Sequence, residues 1–429
     1  MKRWKCLGSL LFCFFILVSA INAGGNQAQS QSGVTEINFL LYSGDSEMDG
    51  WNGMVESFNK LNSDVHVTIS RVPGDWYSYT QKITTLIAAG TPPDIGRMGV
   101  AFMPQFASRG QLLDLTDRVK NELNMADYYQ SAFDSVKING KLYGLPCGLY
   151  TLVLFYNKQI FDDAGIPYPS SDWDNAITMS DFESLAHKLT KGSGVDKVYG
   201  FWANLHPERS VQFFFSNGGN VLSDDMKTAT MDQPPMIETY KMLQRFYNDG
   251  VSPMPATLQT MPFDQMFSAG KIAMFIEGQW NIPWMTSYKN LRFGVAATPK
   301  GSKSTTTVNF LDQHVVFAGS KHPNEAWRVI KSFISKDGEE ILVKTNNLGT
   351  PIYKPVLNAM RDQIYTGLSE SDKDCIFKSI DYSKAMPFTS NWGELMNIVT
   401  KTTDLIPLNQ ISAEDAMKKV NAEIQAQLK

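Results

Sequence analysis

Reactive side chains are scarce in this chain. Of its 429 residues only five are histidine and four are cysteine. No His-Glu-x-x-His occurs and no Cys/His group has zinc spacing, which excludes the common zinc classes. There is no Gly-x-Ser-x-Gly elbow of a serine hydrolase. Gly270-Lys271 is not a phosphate loop, because Gln265 stands where a glycine is required and Ile272 follows the lysine. Excess positive charge is also lacking: the net charge is −4, so no nucleic-acid partner is indicated. Solenoid-length repeats are absent as well. Acidic pairs exist, such as Asp162-Asp163 and Asp224-Asp225, but adjacent carboxylates read as solvated loop charges. Glycoside hydrolysis needs two carboxylates facing each other about 5–10 Å apart. A linear sequence leaves that open, so an exported carbohydrate-active enzyme stays as the alternative class. No cofactor or metal is expected.

What is present begins with an export signal. Lys2, Arg3 and Lys5 precede the apolar run Leu10–Val18, and small residues follow through Ala23. The run is short for a membrane span, which needs about 20 residues. Residues 1–23 are therefore expected as a signal peptide, with an uncleaved anchor as the other reading. Removing the three cations takes the net charge from −4 to −7. Residues 24–33, rich in Gln, Ser and Gly, read as a flexible leader. Only Cys147 and Cys375 then remain, far apart and without Cys-x-x-Cys spacing, and two separate thiols are expected. The body of about 395 residues exceeds one ordinary core and predicts two domains.

Ile37–Leu41 reads as a strand, Trp51, Met54, Val55, Phe58 and Leu61 as a helical stripe, and Val65, Val67 and Ile69 as a second strand. Loops at the carboxyl ends of such strands are where α/β proteins place ligands. That singles out Tyr42-Ser43-Gly44-Asp45. The most informative stretch runs from Phe263 to Trp280. Phe263, Met266 and Phe267 have helical spacing, Gly270 is a helix stop, Ile272–Ile276 is a buried strand, and Gly278 precedes Trp280 on the turn that leaves it. Trp280 is either a ligand platform or core packing on these grounds alone.

The order helix, Gly-Lys, apolar strand, Gly-x-Trp resembles the signature of bacterial extracellular solute-binding proteins of family 1. These are the sugar-binding ABC-importer proteins that include maltose-binding protein. The resemblance implies an α/β periplasmic-binding-protein fold, two lobes joined by a multi-segment hinge with a ligand cleft between them. It assigns 34–147 and 313–354 to the N-terminal lobe and 148–312 and 355–429 to the C-terminal lobe. Tyr143–Tyr156 resembles the first crossing, which sets Tyr150 on the cleft floor. Asn309–Phe317 resembles the second, with Asp312 at the cleft. Leu348-Gly349-Thr350-Pro351 resembles the loop before the third.

Sugar rings have apolar C–H faces and polar rims. Stacking is accordingly expected from Trp280, Trp392, Trp76 and Trp202, with hydrogen bonds from Asp45, Asp312 and Glu208. Tyr42 and Met98 complete the expected set, Met98 standing near the position of a stacking Trp in maltose-binding protein. The resemblance implies a monomer that hands a carbohydrate to membrane ABC permease subunits from the periplasm or extracytoplasmic face. The same fold binding a glycerol phosphodiester is a further alternative, for which a basic cleft is expected.

Overall fold

The computed structural model describes residues 33–345 and 349–428. The expected signal, all of the leader but Gly33, and Leu348 lie outside these residues. Eight strands are found among them: β1 (Thr35–Tyr42), β2 (Val65–Val72), β3 (Ile95–Gly99), β4 (Gly144–Asn157), β5 (Met274–Gly278), β6 (Phe293–Ala296), β7 (Thr307–Val316) and β8 (Ser383–Lys384). The order β2-β1-β3-β7-β4-β5 runs through both lobes. β1 is parallel to β2 and β3, whereas β7 is antiparallel to both β3 and β4.

Side-chain alternation builds the first lobe. Ile37, Phe39 and Leu41 of β1 point to one face, where the helices Met48–Leu61 and Pro323–Phe333 bury Trp51, Met54, Phe58, Trp327 and Ile330. Leu40 points the other way, with Met98, onto Tyr79, Ile83 and Phe106. The second lobe repeats this logic on β4. Leu152, Leu154 and Tyr156 enter a large core that includes the helices Pro207–Ser216, Pro234–Asn248 and Ala413–Gln427. Val153 and Phe155 enter a separate core with Phe267, Phe275 and the helix Glu370–Lys378. The expected α/β architecture is thus present.

β4 is buried at all 14 positions and belongs to both lobes. Its residues 144–151 pair with β7, and from Leu152 onward it pairs with β5 and β6. The ladder slips between Pro146 and Leu149, where Gly148 has φ +112°, a conformation that disfavours any side chain. Leu149 also exchanges backbone hydrogen bonds with Thr350, so the loop at 349–351 meets β4 at the bulge. Cys147 and Cys375 are both buried free thiols, as expected. Ser412 caps the last helix by accepting from the Asp415 N–H at 3.1 Å. No helix among the described residues is long and apolar enough to cross a membrane.

Candidate functional site

A cleft of about 380 Å3 opens between the lobes. One wall comes from the first lobe: Tyr42 at the end of β1, Glu47 in the following turn, Trp76 opening its helix, Arg97 and Gly99 on β3, and Phe102. The opposite wall is Glu208 and Arg209, in the first turn of Pro207–Ser216, and Trp280, in the turn after β5. The crossing strands supply the floor, with Tyr150 from β4 and Phe310, Leu311 and Asp312 from β7.

Each wall holds an arginine tied to carboxylates and laid against aromatic rings. Arg97, with 6% of its side chain exposed, donates to Asp312 Oδ2 at 2.9 and 2.5 Å and to Glu47 Oε2 at 2.8 Å. Its guanidinium lies 5.1 Å from the Trp51 ring centre and 5.7 Å from that of Trp76. Burial disfavours its charge, but Asp312 and Glu47 outweigh burial and hold its pKa well above the usual arginine value. Burial in turn pushes the Asp312 carboxyl up, against the pull of Arg97. Across the cleft, Arg209 Nε forms an ion pair with Glu277 Oε1 at 2.8 Å, and the guanidinium lies 5.3 Å from the rings of both Trp280 and Phe310. Both cations are therefore neutralised within the protein. The basic lining that a phosphodiester would require is not what the cleft offers.

Tyr150 sits between the walls. Its ring meets Trp280 edge-on at 5.8 Å, and its hydroxyl, on a residue only 4% exposed, has no partner among the described residues. A buried hydroxyl of this kind is costly unless something bonds it. Trp280 folds back over the strand end: a Cβ on Gly278 would lie 2.2 Å from the indole ring. The Gly-x-Trp spacing thus has a steric cause, because only glycine leaves room for the ring.

Six of the residues expected from sequence line the cleft together: Tyr42, Trp76, Tyr150, Glu208, Trp280 and Asp312. Four do not. Asp45 is 94% exposed and pairs outward with Arg71 at 2.6 Å, while Glu47, two residues on, faces inward. Met98 is fully buried in the first-lobe core, because alternation on β3 sends Arg97 and Gly99 to the cleft and Met98 away from it. Trp202 stacks on Phe263 at 4.2 Å in a second-lobe core. Trp392 is buried at 2% exposure, and its indole N–H donates to Glu208 Oε1 at 2.8 Å. His206 caps its helix, accepting from the Glu208 N–H at 3.3 Å. Arg209, Glu47 and Phe310 were not singled out by sequence. For Glu47 and Phe310 the signal was proximity to Asp45 and Asp312; Arg209 carried none beyond adjacency to Glu208.

Comparison with known proteins places this geometry. The family described as bacterial extracellular solute-binding protein matches residues 44–340. A protein of Brucella abortus (strain 2308), named only as a binding protein, is 25% identical over 384 residues, 87% of this chain and 88% of that one. The galactooligosaccharide-binding protein of Bacillus subtilis (strain 168) is 23% identical over 324 residues, 72% of each. An ABC substrate-binding protein of Listeria monocytogenes, solved in complex with cycloalternan, has a TM-score of 0.81 at 24% identity, over 92% of this chain and 99% of that one. That likeness carries the two-lobed fold. With the family match spanning well over half its length, this chain belongs to the bacterial extracellular solute-binding proteins.

Proposed function

We propose that this protein is the exported substrate-binding component of an ABC importer, and that it binds a sugar or oligosaccharide in the cleft. The observation that carries this reading is the composition of the cleft, in which aromatic rings alternate with carboxylates and a buried phenol hydroxyl. Apolar C–H faces of a sugar stack on Trp76, Trp280 and Phe310, and its hydroxyls bond Asp312, Glu208 and the Tyr150 Oη. The volume of about 380 Å3 suits a small oligosaccharide. The named ligands of the Bacillus and Listeria proteins, an oligosaccharide and cycloalternan, support the ligand class.

The lobes, divided near 147, 312 and 354, close over the ligand, and a membrane permease receives it from a monomer at the extracytoplasmic face. The division is supported by the cores: Ile37, Phe39, Trp51 and Leu145 share one with Val316, Trp327 and Ile352, whereas Val356, Leu357 and Met360 of the helix Lys354–Met360 pack into another. A disaccharide of about 23 heavy atoms at roughly 0.3 kcal/mol per atom gives about 7 kcal/mol, a micromolar-range affinity. A thermal-shift screen over mono-, di- and trisaccharides, followed by calorimetric titration, tests the reading. Stabilisation by a sugar with micromolar affinity supports it; no shift across the panel, or release of cleaved sugar, sinks it.

A further inference from the structure

Trp392, excluded from the cleft by its burial, nevertheless reaches it through one atom. Its ring is packed in the second-lobe core, edge-on to Phe388 at 5.1 Å. Its only polar atom bonds Glu208 Oε1. The other oxygen, Oε2, lies 3.9 Å from Arg209 Nη1, beyond hydrogen-bond reach. Arg209 is ion-paired through its Nε with Glu277. The indole holds one carboxylate oxygen of Glu208, while the other stays short of the bidentate hydrogen bonding that a planar guanidinium fork favours. Glu208 and Arg209 thus stand at ion-pair distance with no hydrogen bond between their side chains.

We propose that Trp392 is a positioning residue of the binding site: it sets Glu208 for a ligand hydroxyl and withholds it from a direct hydrogen bond with Arg209. The proposal rests on the carbohydrate reading for its effect on affinity, but the tie itself is measurable without sugar. In sugar-free protein labelled with 15N-arginine, Trp392→Phe should shift the Arg209 guanidinium resonances and slow their hydrogen exchange as Glu208 swings over. Unchanged resonances overturn the proposal whatever the ligand. Calorimetry with maltotriose, cellotriose and β-1,4-galactotriose in turn then reads the consequence. For whichever binds, Trp392→Phe and Glu208→Gln should each weaken it about tenfold, and the double variant should be no weaker than Glu208→Gln alone. Additive losses make Trp392 a packing residue and overturn the proposal. Failure of all three sugars to bind counts against the carbohydrate reading, and the resonance shift still decides the tie. Should phenylalanine leave the chain unfolded, 3-benzothienylalanine at 392 keeps the ring size and removes only the N–H.

Discussion

Trp280 and Gly278 act as one unit, since the glycine's bare backbone is the floor on which the indole rests. Gly278→Ala should push the partly exposed ring out of place while costing little stability. The expected loss is roughly 1–2 kcal/mol of sugar affinity, about five- to thirty-fold, with a nearly unchanged melting temperature. Trp280→Ala should lose about 2–4 kcal/mol, roughly 30- to 1,000-fold, by forfeiting both area and stacking. A collapsed melting temperature with intact affinity in the same titrations would make the ring a packing residue. Tyr150→Phe is a finer probe of the same floor. It should weaken binding by about 0.5–1.5 kcal/mol, and its melting temperature should hold or rise, because a partnerless buried hydroxyl is removed. Loss of stability without loss of affinity would contradict that.

The helix Lys336–Lys344 carries Glu339 to the foot of the hinge, where its carboxyl accepts the Ile352 and Tyr353 N–H groups at 3.2 and 2.8 Å. Burial pushes its pKa up to about 8, against the pull of those two donors. A folded value above the ordinary 4.5 means the folded state holds a proton that the unfolded chain releases. The associated stability is complete below about pH 4.5, falls as pH rises, and is lost once pH passes about 8. The slope from one proton reaches about 1.4 kcal/mol per pH unit. Glu339→Gln should be less stable overall, since its amide nitrogen faces an N–H donor, but denaturation between pH 5 and 8 should show a flatter dependence. An unchanged slope would remove Glu339 from the linkage. Elements of this kind were largely legible in the sequence. The alternation of Val65, Val67 and Ile69, the run Tyr143–Tyr156 and the glycine stop at 270 correspond to β2, β4 and the end of a helix. The site was less so, and for definable reasons. Choosing Met98 over Arg97 is a one-residue slip, which on a strand exchanges the two faces. Trp392 looked like a platform because its partner, Glu208, is 184 residues away in the chain. Trp202 reads as a stacking residue in the sequence because the ring that covers its face, Phe263, is distant in the chain.

At the scale of the whole molecule, closure should appear in solution as a smaller radius of gyration by small-angle scattering once a binding sugar is added; an unchanged radius at saturation argues for a rigid cleft. The crossing strands also carry a consequence for biosynthesis. In the first-lobe sheet the place between β3 and β4 is taken by β7, made more than 150 residues after β4 begins. A ribosome that has finished Ala296 has therefore made β1 to β4 yet cannot complete that sheet, and the helix Pro323–Phe333 that covers it comes later still. Folding through such distant pairings is slow. A chain cut just before Thr307 should lack native protection in hydrogen exchange throughout β3, whereas a protected β3 in that fragment would show that the lobe assembles early. On the export reading proposed above, a keystone strand that arrives late keeps the chain threadable until Thr307–Val316 has been made.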